Sequence, residues 1–326
     1  MRVTLVLLLL LARVAAAKSD AMTGAPADYT KPGPLPVGIM TIQITTTSVT
    51  TGAPRVLDTL VWYPATEGSG TPEGAFLRNA EVAKGRHPLV VFSHGSCGIP
   101  NQSPFLMQAL ASRGMIVAAP PHPGNVLSPD CSTPAALADA FANRPADVGA
   151  VADRFLAFTK DKTSRFHRRV NPKRLGVAGH SFGGQTTLRV AADDARFKAA
   201  LALAPAFAPG VTIRRPLMVM TGELDSLTPF AEDAEPSYAL GTGPRWLVKI
   251  LRAGHCAFIP GCAEQVCGAG CEPGALTAPE ANALVLRYAV PFLLRYLEGD
   301  HKAVKSLRPD AAPAELVVES ATGRKR

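Results

Sequence analysis

The stretch that decides the fold is RLGVAGHSFGG, residues 174–184. An apolar run ends here in the pattern G-x-S-x-G, and a helix-compatible segment, residues 185–192, follows it. A nucleophile on a sharp strand-to-helix turn has a strained backbone, so its neighbours two before and two after must be small, as Gly179 and Gly183 are. The alternative is a chance match in a loop. With a strand before it and a helix after it, the pattern predicts a nucleophile elbow with Ser181 at its apex.

Strands and helices alternate around this turn from residue 88 to residue 298. The strands are expected at 37–45, 56–63, 88–93, 115–120, 174–178, 199–206, 217–221 and 246–251, and the helices at 102–113, 135–143, 147–160, 185–192 and 281–298. This order predicts an α/β fold with a mostly parallel central sheet, antiparallel N-terminal strands and helices on both faces. The segment 67–86 is expected to be a loop.

The first 17 residues have the pattern of a secretory signal peptide. Arg2 is the charged start, residues 3–12 are apolar, and small residues at 15–17 offer a cleavage site. The apolar run is too short to span a bilayer, and an uncleaved anchor is the alternative. We therefore expect a secreted or periplasmic protein without a stable membrane span. The predicted organisation is a signal peptide (1–17), an extended arm (18–36), a catalytic domain (37–300) and a polar tail (301–326).

Six cysteines follow the predicted signal peptide: Cys97, Cys131, Cys256, Cys262, Cys267 and Cys271. An even number of cysteines in an exported protein favours disulfides. The last four are spaced C-x5-C-x4-C-x3-C, which matches no standard zinc site. We expect Cys97 to pair with Cys131 and the last four to pair among themselves, although the sequence leaves other connectivities open. A metalloprotein built on the cysteine cluster is the alternative.

The charge of the chain says little about partners. The formal net charge is +8, and +6 remains once Arg2 and Arg13 are removed with the signal peptide. The basic residues are scattered, apart from a cluster at 165–174 and the C-terminal tail, and no nucleic-acid-binding motif is present. We expect a monomer with a basic surface and no nucleic acid partner.

Chemically active residues follow two of the predicted strands, at the edge where ligands bind in such folds. Asp225 comes just after the strand 217–221, and His255 just after the strand 246–251. The order Ser181, Asp225, His255 is the one expected when an elbow serine has a base and an orienting acid. His255 would take the serine proton and return it, and Asp225 would fix the imidazole tautomer.

Other residues compete for these roles. Glu223 is the alternative acid, but a solvated turn residue is its ordinary role. His94 and His122 also follow predicted strands. His94 precedes a glycine turn that it can structure, and His122 either lines the pocket or bonds the backbone of its loop.

The developing oxyanion needs at least two fixed donors. We expect one from the backbone N–H of Phe182, directly after the nucleophile. The other should come from the turn after the strand 88–93, where we choose the backbone N–H of Ser96. Cys97 beside it is expected in a disulfide that pins the loop, with a reactive thiol as the alternative.

Several motifs together resemble the serine hydrolases of the α/β-hydrolase fold. They are VWYP (61–64), VFSHGS (91–96), AAPPHPGN (118–125), RPADV (144–148), GHSFGG (179–184) and GELD (222–225). Within that fold the chain is similar to the group of predicted dienelactone hydrolases, platelet-activating-factor acetylhydrolases and cutinase-like polyester hydrolases. The resemblance implies hydrolysis of a small-molecule or polymeric ester through an acyl-enzyme. Ser181, Asp225 and His255 would be the triad, and no metal or organic cofactor would be needed.

The substrate pocket is less well defined by the sequence. Its candidate wall residues are Trp62, His122, Leu227 and Phe258, although core packing is the commoner fate of large apolar residues. The cysteine-rich loop 256–271 follows His255 directly and either roofs the acyl pocket or staples the fold. A non-catalytic member of the fold that binds a ligand is the alternative to the enzyme.

Overall fold

Eleven strands form a single sheet in the computed structural model, which describes residues 27–262 and 264–322. The strands are β1 (Val37–Thr47), β2 (Pro54–Pro64), β3 (Thr71–Glu73), β4 (Phe76–Arg78), β5 (His87–Ser93), β6 (Ile116–Ala119), β7 (Val170–His180), β8 (Phe197–Leu203), β9 (Leu217–Gly222), β10 (Arg245–Ile250) and β11 (Leu316–Ala321). Their order across the sheet is β11-β10-β9-β8-β7-β5-β6-β2-β1-β4-β3. The predicted signal peptide and residues 18–26 of the predicted arm lie outside the described residues.

The six central strands, β10, β9, β8, β7, β5 and β6, are parallel. Strand β2 pairs antiparallel with both β6 and β1, as expected for the N-terminal strands. Parallel strands covered on both faces should be apolar along their whole length, and every residue of β5 and β6 is buried. The predicted mostly parallel sheet is therefore confirmed.

Six α-helices accompany the strands in the part of the chain that the structure describes. They are α1 (Pro104–Ala111), α2 (Pro134–Phe158), α3 (Phe182–Asp193), α4 (Glu235–Ala239), α5 (Glu264–Cys267) and α6 (Ala278–Leu293). Helix α6 begins at a capping box, in which the Glu280 carboxylate accepts from the backbone N–H of Thr277 at 2.8 Å. The α6 segment continues into a π-helical turn, Leu294–Glu298. None of the helices in the described ranges is both long and apolar enough to cross a membrane.

The sheet separates two apolar cores. Alternate residues of a strand point to opposite faces. Val90 and Phe92 accordingly pack in one core with α1 and α6, while Leu89 and Val91 pack in the other with α2 and α3. Helices thus cover both faces, and the carboxyl ends of the central strands remain at one edge of the sheet.

Helix α2 is one continuous helix, so the predicted division into 135–143 and 147–160 was wrong. Pro145 lies between the two predicted segments, and proline lacks the N–H that would bond the carbonyl of residue 141. That carbonyl, on Phe141, instead accepts a hydrogen bond from the Arg189 guanidinium of α3. A side chain from the neighbouring helix thus satisfies the acceptor that Pro145 leaves, and α2 passes through the proline.

Two further expectations needed correction. The tail beyond residue 301 is not simply polar, because β11 pairs antiparallel with β10 and closes one edge of the sheet. Leu307 and Leu316 are buried, and the indole N–H of Trp246 donates to the Leu307 carbonyl at 3.1 Å. The segment 67–86 contains the short β3–β4 hairpin, which extends the opposite edge beyond β1.

Candidate active site

Ser181 lies between β7 and α3 with the backbone angles φ 58° and ψ −120°. A left-handed φ is costly for serine and indicates a position that the surrounding fold holds in place. The turn is closed so tightly that a Cβ on Gly183 would lie 1.9 Å from the Ser93 oxygen, and a Cβ on Gly179 2.2 Å from the Gly183 oxygen. Glycine is therefore required at both positions, and the elbow expected from the sequence is present.

The first amide of α3 belongs to Phe182. As at the start of any helix, this N–H has no hydrogen-bond partner within the helix, and it directly follows Ser181. The turn after β5 approaches the same point, since a Cβ on Gly95 would lie 3.3 Å from the Ser181 Cβ. The Gly95 N–H donates to the Gln102 Oε1 atom at 2.7 Å, and the next amide along this turn is that of Ser96.

Asp225 and His255 are in direct contact at the ends of β9 and β10. The His255 Nδ1 atom lies 2.8 Å from Asp225 Oδ2 and 3.0 Å from Oδ1, and both side chains are buried. Because the carboxylate accepts, Nδ1 carries the hydrogen, and the lone pair is on Nε2. Glu223, the competing acid, instead accepts from the backbone N–H of Arg252 at 2.9 Å.

Thr228 donates two hydrogen bonds to the Asp225 carboxylate, a role that we did not predict from the sequence. Its N–H donates to Asp225 Oδ1 at 2.9 Å and its hydroxyl to Oδ2 at 2.8 Å, while the Leu227 N–H also donates to Oδ1 at 3.0 Å. Burial raises the pKa of Asp225, but the contact with His255 and the bonds from Thr228 outweigh it and lower the pKa below its usual value. Asp225 is therefore ionised at neutral pH. A threonine three residues after an acid is the signal that could have identified this position.

Ser181 and His255 lie at the same edge of the sheet without a direct bond. Over the described ranges, 27–262 and 264–322, no hydrogen bond joins the Ser181 hydroxyl to His255. The two residues are linked through His180, whose ring centroid lies 4.7 Å from that of His255. Hydrogen bonds of a catalytic site often tighten only when substrate is bound.

Of the four candidate pocket residues, three are not at the site's surface. Trp62 is fully buried in the core under α1, and His122 is fully buried and bonded to Ser93 and Asp147. Phe258 is fully buried too, with its ring centroid 5.7 Å from that of His180. None of these side chains lines an open pocket, so the three assignments needed correction, whereas Leu227 is exposed beside Asp225.

Three disulfides join the six cysteines: Cys97–Cys131, Cys256–Cys267 and Cys262–Cys271. The predicted pairing of Cys97 with Cys131, and of the last four among themselves, is confirmed. Cys262, Cys267 and Cys271 lie close enough for a metal site, but their sulfurs are consumed in disulfides. Disulfide sulfurs are not the thiolates that bind zinc, so the structure does not favour a metal site built on this cluster.

Comparison with known proteins identifies the family. The sequence model of the family "PET hydrolase-like" matches residues 104–322, about two thirds of the chain. The chain belongs to the PET hydrolase-like family. A second model, platelet-activating factor acetylhydrolase isoform II, matches residues 70–132. The predicted α/β-hydrolase fold and the resemblance to acetylhydrolases and cutinase-like hydrolases are confirmed.

The curated relatives of this PET hydrolase-like chain are distant. Cutinase 2 of Thermobifida cellulosilytica is 25% identical over 224 residues, which cover 68% of this chain and 72% of that protein. Cutinase est1 of Thermobifida alba is 28% identical over 153 residues, 46% of each chain. A bis(hydroxyethyl) terephthalate hydrolase of Streptomyces coelicolor is 26% identical over 155 residues, 46% of this chain and 44% of that protein. The chain thus spans about half the length of the latter two relatives.

Proposed function

We propose that this protein is a carboxylic ester hydrolase that acts through Ser181, His255 and Asp225 and an acyl-enzyme intermediate. The observation that carries the proposal is the bond of 2.8 Å between His255 Nδ1 and the buried Asp225 carboxylate, at the sheet edge where the strained Ser181 stands. The relatives named cutinase support the same reaction class.

In the acylation step, the Ser181 oxygen attacks the ester carbonyl carbon while its proton passes to His255 Nε2. Asp225 then stabilises the imidazolium across Nδ1, and the oxyanion accepts from the backbone N–H groups of Phe182 and Ser96. When the tetrahedral intermediate collapses, the bond to the alcohol oxygen breaks and His255 returns the proton to it. The alcohol leaves, and Ser181 carries the acyl group.

Deacylation repeats these roles with water. His255 takes a proton from the water molecule that attacks the acyl carbon, and the same two amides stabilise the second oxyanion. The Ser181 oxygen leaves with the proton from His255, and the carboxylic acid is released. Only an acyl group and protons are transferred, so the proposed chemistry needs no metal or organic cofactor.

The test is hydrolysis of p-nitrophenyl acetate and butyrate by the wild type, Ser181→Ala and the control Ser320→Ala. Ser320 is exposed on β11, far along the sheet from the elbow. We expect Ser181→Ala to lose the ester hydrolysis and a fluorophosphonate label, and Ser320→Ala to keep both. Equal rates in Ser181→Ala and wild type would favour a non-catalytic, ligand-binding member of the fold.

A polyester is the first candidate for the natural substrate. The relatives named cutinase and bis(hydroxyethyl) terephthalate hydrolase support it, and so does the apolar edge of the site. Leu227 next to Asp225 is 52% exposed, and Ile99 three residues after Ser96 is 46% exposed. Soluble acids released from a polyester film, compared with those from bis(hydroxyethyl) terephthalate and from esters of increasing acyl length, would identify the preferred size.

A phospholipid acetylhydrolase is the second candidate, and the acetylhydrolase match over residues 70–132 supports it. That match includes the turn with Ser96 and the Cys97–Cys131 disulfide. Hydrolysis of a 2-acetyl phospholipid, measured against the long-chain analogue and the polyester film, separates the two candidates. A strong preference for the acetyl ester would favour the acetylhydrolase.

We also propose that the protein is exported and monomeric. Three disulfides support an oxidising compartment. N-terminal sequencing of the protein recovered outside the cytoplasm should find residues 1–17 removed, and size-exclusion chromatography with light scattering should give the mass of one chain. Recovery of the uncleaved chain from membranes would contradict the first expectation, and a dimer mass the second.

A further inference from the structure

Arg144 of α2 is a buried cation that the proposed reaction does not use. Its side chain is fully buried, and burial lowers its pKa to about 9, so it remains charged at neutral pH. Among residues 27–262 and 264–322 it forms no direct ion pair. A buried charge without a carboxylate partner is expensive, and its cost must be offset by the hydrogen bonds it makes.

The guanidinium binds the turn that carries the proposed oxyanion donor. One terminal nitrogen donates to the backbone oxygen of His94, and the other donates to the backbone oxygen of Gly95 at 3.1 Å. The Gly95 oxygen and the Ser96 N–H belong to the same peptide group. Because a peptide group is planar and trans, fixing its oxygen fixes the direction of its N–H.

The same bond also strengthens the Ser96 donor. The Gly95 oxygen accepts from Arg144, from the Gly98 N–H at 3.1 Å and from His94 Nδ1 at 2.7 Å. Hydrogen bonds to the oxygen of a peptide group polarise its N–H, most strongly when the donor is charged and buried. The Ser96 amide is thus both oriented and polarised before substrate arrives.

Arg144 contacts the other half of the oxyanion hole as well. Its guanidinium carbon lies 4.6 Å from the centre of the Phe182 ring, a cation–π arrangement. Its second nitrogen also donates to the Asn125 side-chain oxygen, and the Asn125 amide in turn donates to Ser96 Oγ at 3.2 Å and to the Cys131 carbonyl at 2.6 Å. One side chain therefore connects the two loops whose amides would bind the oxyanion.

We propose that Arg144 is the positioning residue of the oxyanion hole: it holds the Gly95–Ser96 peptide and the Phe182 side chain in one arrangement. The inference rests on the proposed ester hydrolysis. Arg144 does not touch the substrate, and it acts through the two backbone donors. Loss of one oxyanion donor lowers the catalytic rate about 10²–10³-fold in other hydrolases, so misplacing Ser96 should approach that range.

The experiment compares Arg144→Lys with Arg55→Lys. Arg55 is also a buried arginine, but it binds Asp147 at 3.0 Å and contacts neither Phe182 nor the turn 94–96. We expect Arg144→Lys to lower kcat on p-nitrophenyl butyrate by about tenfold or more, with KM within about threefold. Arg55→Lys should lose stability and keep kcat. Thermal melting separates folding from catalysis in both variants.

A trifluoromethyl ketone provides the readout that a purely structural role would not change. Ser181 would add to this ketone and form a bound oxyanion that resembles the one in the reaction. The inhibition constant of the ketone should therefore rise in Arg144→Lys by the same factor by which kcat/KM falls. An inhibition constant equal to that of the wild type, or a kcat within twofold of it, would overturn the proposal.

A second variant covers the case in which Arg144→Lys does not fold. Asn125→Ala removes a neutral partner of both Arg144 and Ser96 and leaves the buried charge in place. We expect Asn125→Ala to lower kcat severalfold and to raise the inhibition constant of the ketone by the same factor. Unchanged values of both would overturn the proposal. A wild type without ester hydrolysis or fluorophosphonate labelling would overturn the proposed function, and the inference with it, whereas an active wild type with an unaffected Arg144→Lys overturns the inference alone.

Discussion

His180 Nε2 lies 3.0 Å from the backbone carbonyl oxygen of His255. Since a carbonyl oxygen can only accept, His180 carries its hydrogen on Nε2. Burial, together with the nearby His255, lowers the pKa of His180 to about 3, so the ring is neutral at any pH at which the enzyme would work. The residue directly before Ser181 therefore anchors the loop that carries the proposed base.

We expect His180→Phe to keep the packing of the ring and to lose this anchor. A hydrogen bond of this kind contributes about 0.5–1.5 kcal/mol, which corresponds to a fall in kcat of up to about tenfold if His255 shifts. The measurement is kcat on p-nitrophenyl butyrate, with the exposed His301→Phe as control. A folded His180→Phe with the wild-type kcat would show that the loop positions His255 without it.

Asp225→Asn tests the assignment of the acid. The amide keeps the shape of the side chain but can donate to His255 Nδ1, which favours the wrong imidazole tautomer, and such a change costs about 10⁴-fold in kcat in a related triad. We expect a loss of several orders of magnitude with a nearly unchanged melting temperature. Glu223→Gln is the matched control, because within residues 27–262 and 264–322 the Glu223 carboxylate accepts only from the Arg252 amide. A larger loss in Glu223→Gln than in Asp225→Asn would contradict the assignment.

The central fold followed from short-range patterns, and the edges did not. Continuous apolar runs such as 88–93 have to be buried strands, because both of their faces need cover. Strand β11 has no such run: Leu316 is buried but Val317 and Glu319 are exposed, so its place depends on pairing with β10. Likewise, proline usually ends a helix, and the bond from Arg189 of another helix to the Phe141 carbonyl in α2 is a tertiary contact that the local sequence does not show.

The candidate site divides in the same way. Ser181, Asp225 and His255 follow strand ends in a fixed order, so topology alone brings them to one edge. Thr228 is marked only by its spacing of three residues from Asp225, and Arg144 does not follow a strand end at all. Arg144 stands in the middle of α2, and its role depends on the distance between that helix and the turn after β5, which the sequence does not encode locally. The prediction of pocket residues failed for a related reason. A large apolar side chain such as Trp62 suits the core as well as a ligand site, and the local sequence does not distinguish the two.

The Cys97–Cys131 disulfide should affect catalysis as well as stability. Cys97 directly follows Ser96, and its partner lies in the loop before α2. Replacing both cysteines by alanine removes a cross-link that spans 34 residues and frees the turn that carries the Ser96 donor. The gain in chain entropy of the unfolded state should lower the free energy of unfolding by about 4 kcal/mol. We expect a lower melting temperature and, at temperatures where the variant is folded, a lower kcat.

The Cys262–Cys271 pair provides the control for that experiment. It spans only 9 residues and adjoins none of the proposed triad or oxyanion residues in sequence. Its double alanine variant should lose less stability, about 2–3 kcal/mol, and keep kcat where it is folded. Equal losses of kcat in the two variants would indicate that the disulfides act on the fold as a whole.

Buried histidines should make the protein less stable in acid. Burial lowers the pKa of three histidines well below the usual value: His94, His122 and His180. In the unfolded chain each would titrate near about 6.5. Below that pH the unfolded state binds protons that the folded state does not, so the free energy of unfolding must fall as the pH falls, by about 1.4 kcal/mol per pH unit for each histidine.

Two buried carboxyl groups also make the free energy of unfolding depend on pH. The raised pKa of Asp147, due mainly to burial, acts in the opposite direction, because its folded form gains a proton first. The lowered pKa of Asp225 acts in the same direction as the histidines, but only near its own unfolded value of about 3.9. Urea unfolding between pH 7 and pH 5 covers the range in which the histidines of the unfolded chain gain their protons. We expect the free energy of unfolding to decrease over this range, with a shallower slope in His180→Phe, which has one buried histidine fewer. The free energy of unfolding could instead be independent of pH in the wild type, or depend on pH equally in both proteins. Either result would mean that the folded protein binds protons at these histidines as readily as the unfolded chain does.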